Sequence, residues 1–584
     1  MSSNLYLTSE RNALIVIALL KKYGIRKVIA SPGTTNKVFV WSIQQDPFFE
    51  IYSSVDERSA AYLACGMAAE SGEPVVISCT GATASRNYLS GLTEAYYRKL
   101  PVVAITSHQG IDRLGNLRPQ NVDRRQTQFD IAMVHVDAPI IKDARDESFC
   151  INQVNKALHY LTRNGGGPVH INLFTNYSQD FSVEQLPNPK RIFHYTVFDK
   201  LPVFPHAQHV VVCVGSHKKF TEDETAALDQ FCASHNAIVY CDHTSGYHGV
   251  YKAQMALVFC QENYVSQNKQ IDLLIHIGEM SGDYCFYKAN INKVWRVSED
   301  GEIRDTYGKI DSVFEMPEQA FFEYYSKDGA NQHSYLDSCL KEYESLFEQI
   351  PDLPFSNLWT ARQLHDRLPI GASLHLGILN SLRSWNFFEI DNSIDAYCNV
   401  GGFGIDGGLS TLIGASLVNP NRLYFGVFGD LAFFYDMNVL GNRHVGKNVR
   451  IMLINNGRGT EFRNYSHDCH IFGEAADPFM AAAAGHFGHQ SHTLIKHYAQ
   501  DLGYDYISAS NKEEFLSEMD TFCSESIDKS IIFEVFTDSA EESNALQTML
   551  TYQYDAKFVL KRKIRQRAQN FKREIKRTLL GVFK

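Results

Sequence analysis

The sequence predicts an α/β protein of three consecutive domains, each a parallel sheet flanked by helices. Three observations carry that prediction. At 584 residues the chain exceeds one domain, since roughly 150 residues per domain is the working prior. Short apolar, β-branched runs alternate with helical patterns along its length. Those runs are predominantly apolar and β-rich, as strands covered on both faces are. In the first segment, up to about residue 185, the runs are "KVIASPG", "PVVISCTG", "PVVAITS" and "PVHINLF". The loop "LPNPKRIFHYTVFDKLPVFPHAQ" leads to a second segment, 186–352, with "HVVVCVGS", "AIVYCDH" and "DLLIHIG". The third segment, 353–555, follows "LPFSNLW" and contains "SLHLGI", "LYFGVFGD", "RIMLINN" and "SIIFEVF". Residues 556–584 form a basic tail.

Composition narrows the class. Apolar residues make up 44% of the chain, enough for several cores. The first apolar run is bracketed by Glu10-Arg11 and Lys21-Lys22, which fits an amphipathic helix better than a signal peptide. No run approaches the length of a membrane span. The twelve cysteines lack CxxC and metal-ligand spacings and read as buried free thiols of a cytoplasmic protein. From Lys557 to Lys584, eleven Lys/Arg stand against Glu574, so the tail carries +10 and the rest of the chain −21. Such an acidic body argues against nucleic-acid binding. In the tail, Ile564, Ala568, Phe571, Ile575, Thr578 and Val582 recur at helical spacing on one stripe. A basic amphipathic helix of this kind suits either anionic lipid at the inner face of a membrane or the acidic body of its own oligomer.

The richest chemistry lies in "GDLAFFYDMNVLGNRHVGKNVRIMLINN". Two apolar runs, "LYFGVF" and "VRIMLI", read as parallel strands joined by a helix beginning near Ala432, so Asp430 and Asn455-Asn456 emerge at one carboxyl edge. Mg²⁺ takes oxygen ligands in octahedral array, commonly one or two protein groups plus phosphate oxygens. Asp430 offers a charged oxygen, Asn456 a neutral one and Arg458 its carbonyl. Turn chemistry alone would also place Gly, Asp and Asn there. In the first segment, Glu57 opens an Ala-rich helix, a position that dipole and capping preferences also favour.

The combination of "SPG", "DERSAA", "CTGATAS", "GFGIDGGLST" and "GDL…NN" resembles the thiamine diphosphate (ThDP) enzymes of the acetolactate synthase and 2-oxoacid decarboxylase superfamily, over about residues 5–550. The resemblance implies a pyrimidine-binding domain (1–185), a degenerate central domain (186–352) and a diphosphate-binding domain (353–555). "CVGSHKK" in the central segment lacks a GxGxxG fingerprint, so neither FAD nor NAD is expected there. The resemblance also implies active sites shared between subunits, hence a homodimer or homotetramer. Glu57 matches the glutamate that hydrogen-bonds the aminopyrimidine ring. Ile405 matches the residue that props the bent cofactor, and the Phe403 carbonyl would accept from its amine. Asp430, Asn456 and the Arg458 carbonyl would hold Mg²⁺. Gly33, Thr80, Ser381, Gly429, Leu431 and Ala432 fall on the cofactor-lining motifs, with Leu431 in place of the third glycine of the usual GDG. Gln120 and His108 join Glu57 as catalytic candidates. His108, in "TSHQG", sits at a strand end, where a proton-handling role and a plain loop histidine both stay open.

In overall pattern the chain is most similar to the menaquinone-pathway synthases (MenD type), including the GDL variant. Where those enzymes carry four substrate-binding arginines, this sequence has Thr35, Gln109, Trp385 and Val400. Each lost charge-assisted bond would remove about 1.5–3 kcal/mol of carboxylate binding, so a different substrate is expected. Arg458, Arg463, His467 and His470 lie in the loop expected over the cofactor, with the two histidines read as surface residues. Arg118, Arg124 and Arg125 near Gln120 form a cationic cluster suited to phosphate. The implied reaction decarboxylates a 2-oxo acid and passes the acyl unit to an aldehyde or ketone acceptor. Simple decarboxylation is the alternative within the class, and an inactive scaffold or regulatory homologue the alternative outside it.

Overall fold

The computed structural model describes residues 6–124, 128–478, 490–558 and 560. The amphipathic tail stripe and Arg125 lie outside them. The chain forms two compact units. The first comprises residues up to Leu201 together with Glu299–Glu315, and the second comprises Pro202–Ser298 and the chain from Met316 onward.

In the first unit, β1 (Lys27–Ala30), β2 (Glu50–Ser53), β3 (Val75–Thr80), β4 (Val102–His108), β5 (His135–Ala138) and β6 (Val169–Phe174) form a parallel sheet ordered β2-β1-β3-β4-β6-β5. Its central strands are buried along their length, as their Val/Ile content requires. Helix Arg11–Lys22 covers one face, burying Leu14, Ile17 and Leu20 among others. Helix Glu57–Ser71 packs on the other through Ala60, Ala61 and Ala64. Small residues permit close approach there: a Cβ on Gly91 would overlap Ala61 of that helix. The same unit holds the parallel pair β7 (Phe193–Thr196) and β13 (Ile310–Glu315). The intervening strands β8 (Val210–Val214), β9 (Ala237–Cys241), β10 (Lys252–Ala253), β11 (Gln270–Ile277) and β12 (Asn290–Ser298) are parallel and belong to the second unit.

The second unit also contains β14 (Ser373–Leu376), β15 (Asp395–Tyr397), β16 (Tyr424–Gly429), β17 (Val449–Asn455), β18 (Asp505–Ala509) and β19 (Ile531–Phe536), ordered β15-β14-β16-β17-β19-β18. Numbered from its own first strand, this sheet repeats the order of the first: 2-1-3-4-6-5. In both, the order reverses beside the first strand, which opens a crevice at the carboxyl ends of the first and third strands.

One expectation is corrected. Cys260, at the end of helix Ala256–Cys260, is disulfide-bonded to Cys285, while the other ten cysteines form no disulfide. The 25-residue separation carries no recognisable spacing, so the pairing comes from packing alone. No helix among the described residues is long and apolar enough to cross a membrane.

Candidate active site

The crevice beside β14 and β16 is a cavity of about 490 Å³, within the range of small-molecule sites. Ser381, Ile405, Gly429, Asp430, Leu431, Ala432, Asn456 and Arg458 all line it. Strands β16 and β17 pair in parallel, with Gly429 opposite Ile454, so Asp430 and Asn456 leave the same sheet edge. Helix Asp430–Asp436 starts at Asp430 itself, two residues before the sequence expectation. Gly429 is the extended residue before it.

Asp430 is buried, and its carboxylate is held by backbone N–H groups. Oδ1 accepts from Leu431 N (2.8 Å), and Oδ2 accepts from Asn456 N (3.1 Å) and Gly457 N (2.7 Å). Burial pushes its pKa up to about 7 despite those bonds. No Lys, Arg or His pairs with it among the described residues. Two further buried carboxyls lie within its electrostatic reach, Glu534 and Glu542, each also raised to about 7 chiefly by burial and in part by Asp430. Asp430 and Glu542 both line the cavity against the cost of burial, a deficit that a divalent cation would relieve. The donor set fits: one carboxylate, the Asn456 amide oxygen and the Arg458 carbonyl, with phosphate oxygens to complete the shell. Among the described residues no cluster of three or more His, Cys, Asp or Glu is arranged for a metal, and this type of site does not need one.

The paired asparagines divide their work because consecutive residues of a strand face opposite ways. Asn455 is buried and donates to Glu534 Oε1 at 2.7 Å, while Asn456 faces the cavity. Ser381 sits on helix Asn380–Trp385 and accepts from Asn357 Nδ2 at 3.2 Å. The preceding Leu379, also on the cavity wall, has φ 69°, a strained value for a branched residue. Phe403 likewise has φ 56°. It lies beside Tyr284, ring centroids 6.0 Å apart, and is not among the cavity-lining residues.

Sequence reasoning missed much of the outer wall. Arg383 grips Glu461 through two bonds, Nη1 to Oε2 at 3.0 Å and Nη2 to Oε1 at 2.8 Å. Both line the cavity with Tyr284, Asn380 and Phe462. Arg458 and Arg463 are spoken for by Asp477. His467 is not a surface residue as expected: it lines the cavity, with Nδ1 accepting from Cys469 N at 3.0 Å. His470 is exposed and bonded to the Arg463 carbonyl. Of the positions matching the substrate arginines, Trp385 and Val400 are buried in the second unit and Thr35 in the first. Gln109 accepts from Arg113 Nη1 at 2.5 Å.

The first unit carries the remaining candidates at the carboxyl ends of its strands and in the segments that follow them. Glu57 is the first residue of its helix, after the Asp56 cap, and its Oε2 accepts from Asn87 Nδ2 at 3.2 Å. Gly33 follows β1 and faces Thr80 at the end of β3, where a Cβ would overlap Thr80 Cγ2. Gly33→Ala is expected to cost about 1–3 kcal/mol through overpacking. Thr80→Ser, which removes that methyl, should restore most of the loss in a denaturant titration of the double variant. His108 ends β4, buried, with Nδ1 against the Gln109 carbonyl and its ring edge on Phe174. Burial, with Arg124 nearby, holds its pKa below the usual value. Gln120 is exposed on a loop at φ 65°, and Arg118 is also exposed.

Residues 11–131 match the family described as thiamine pyrophosphate enzyme, N-terminal TPP binding domain. A 2-succinyl-5-enolpyruvyl-6-hydroxy-3-cyclohexene-1-carboxylate synthase of Bacteroides thetaiotaomicron is 29% identical over 568 residues, covering 92% of this chain and 98% of the relative. This chain resembles the ThDP-dependent enzymes. A synthase of the same name from Flavobacterium psychrophilum is 25% identical, covering 89% and 95%. The matched segment is a thiamine pyrophosphate binding domain of an enzyme family, and both relatives are synthases by name.

Proposed function

We propose that this chain is a ThDP- and Mg²⁺-dependent enzyme that releases CO₂ from a 2-oxo acid and joins the remaining acyl unit to an aldehyde or ketone. The observation that carries the reading is Asp430, a buried carboxylate at a strand end that has backbone donors but no cation beside it among the described residues. Asp430, Asn456 and the Arg458 carbonyl would hold the metal, and through it the diphosphate. The ThDP thiazolium, when bound, supplies the electron sink for loss of CO₂. Ile405 would support the cofactor from the cavity wall. Glu57 would accept a hydrogen bond from the aminopyrimidine and so tune its basicity. We take the minimal unit to be a homodimer, as the resemblance implies.

The outer wall bears on the acceptor. Arg383 is neutralised by Glu461, and the pair continues into Asn380 and Asn464 through the bonds of Asn464 Nδ2 to Asn380 Oδ1 (3.2 Å) and Glu461 Oε2 (3.1 Å). A net-neutral, hydrogen-bonding wall suits a hydroxyl-bearing carbonyl acceptor better than a dicarboxylate. The test is titration with ThDP and Mg²⁺, then a screen of 2-oxo acids for CO₂ with and without sugar aldehydes. Saturable Mg²⁺-dependent ThDP binding with acceptor-dependent product supports the ligase. Aldehyde as the sole product would establish the simple decarboxylase, and no ThDP binding would leave a scaffold.

A further inference from the structure

The first unit contains a second cavity, of about 220 Å³, that none of the foregoing assigns. It lies between helices Ala82–Asn87 and Leu89–Tyr97, β4, and the loop carrying Arg124. Two guanidiniums line it, Arg86 and Arg124, and neither forms an ion pair with a described residue. Arg124 donates Nη1–H to Thr106 Oγ1 and Nη2–H to Asn172 Oδ1 (2.6 Å), while its Nε is buried with no partner among the described residues. Thr106 Oγ1 is 2.7 Å from His170 Nε2, and His170 Nδ1 is 3.0 Å from His135 Nδ1. Both imidazoles are kept neutral by burial, so they add no competing charge. Asp123, exposed at the rim, is the carboxylate that lines the cavity. Ser85, Tyr88 and Gln128 also line it, beside the apolar Leu89, Leu92, Ala104 and Ile131.

A buried cation left without a counter-charge is costly, and proteins resolve the cost by pairing it or by binding an anion. Here two cations share one cavity, and burial pulls Arg124 down to about 10 although Asp137, which accepts from Asn172 Nδ2 at 3.0 Å, offsets part of the cost. The volume corresponds to about seven water molecules, which is room for an acid of a few carbons and little more. We propose that this cavity binds a small aliphatic carboxylate, its carboxyl on Arg124 and Arg86 and its tail against Leu89, Leu92 and Ile131. A phosphate ester fits less well, because the apolar side would be left against a polar group. The inference does not rest on the ThDP reading, since both the cavity and its cations belong to the first unit alone.

The experiment is calorimetric titration of the full chain, without cofactor, using isovalerate, 2-oxoisovalerate and the neutral isostere isovaleramide. Both acids are expected to bind, with isovaleramide at least about tenfold weaker, because one charge-assisted contact to a guanidinium is lost. Arg124→Gln should weaken the acids about tenfold or more and leave ThDP binding, titrated in parallel, intact. Arg86→Gln, at the exposed side, should weaken them less. Equal binding of acid and amide to the unaltered chain, or no binding of either acid at millimolar concentration, overturns the proposal even if Arg124→Gln fails to fold. So does undiminished affinity in folded Arg124→Gln. Loss of ThDP binding by the unaltered chain would sink the proposed function and leave this inference standing.

Discussion

Replacing Asp430 with asparagine is expected to lower ThDP affinity in Mg²⁺ by at least about a hundredfold, ~2.7 kcal/mol, and to abolish turnover. The substitution keeps the shape of the side chain but removes the only charged oxygen that the proposed ligand set contributes. It also turns an NH₂ group toward backbone donors. Oδ1 and Oδ2 together accept from three N–H groups, so no orientation of an amide satisfies them all. Both effects act on the metal and neither reaches the first unit. Calorimetry at fixed Mg²⁺ reads the affinity, and circular dichroism confirms the fold. An Asp430→Asn chain binding ThDP within about threefold of the unaltered one would remove Asp430 from the metal site. Asn456→Ala should show the same loss in milder form, because its neutral oxygen contributes less than a carboxylate.

How far these residues could be found in advance depends on how local their signals are. The strands were legible because a parallel strand covered on both faces is mostly apolar, and β4 and β17, buried at every residue, each carry a run of Val, Ile, Leu, Met or Ala. Asp430 and Asn456 were legible because each follows such a run directly. The strand order 2-1-3-4-6-5 was not, since order is decided by packing between strands far apart in sequence. For the same reason Arg383 and Glu461, separated by 78 residues, gave no sign of their pairing. Glu542 looks like any first-turn acid of helix Ser539–Thr551, yet it is buried and accepts from Asn357 N at 3.0 Å. Arg124 was visible as one arginine among three; only the cavity and the unpartnered Nε set it apart.

Glu57→Gln should bind ThDP with near-normal affinity and lose turnover by about 10²–10⁴-fold, the range for a removed acid–base partner. Its neighbourhood explains why the change is mild for the fold. Asp56, not Glu57, caps the helix through Arg58 N at 3.2 Å, and Asn87 is the one side chain bonded to Glu57 among the described residues. A glutamine can keep the Asn87 contact through its carbonyl, but it cannot carry charge toward the cofactor. The same variant then tests the subunit arrangement. If Glu57 of one subunit serves the Asp430 cavity of another, a mixed dimer of Glu57→Gln and Asp430→Asn chains holds one site with both defects and one with neither. Random mixing gives half mixed dimers, so co-expression of the two dead variants should restore about a quarter of normal turnover. Differently tagged chains allow the mixed species to be isolated, and its activity should then approach about half. A mixed dimer as inactive as its parents would mean that both groups come from one chain, which would contradict the shared site that the resemblance implies.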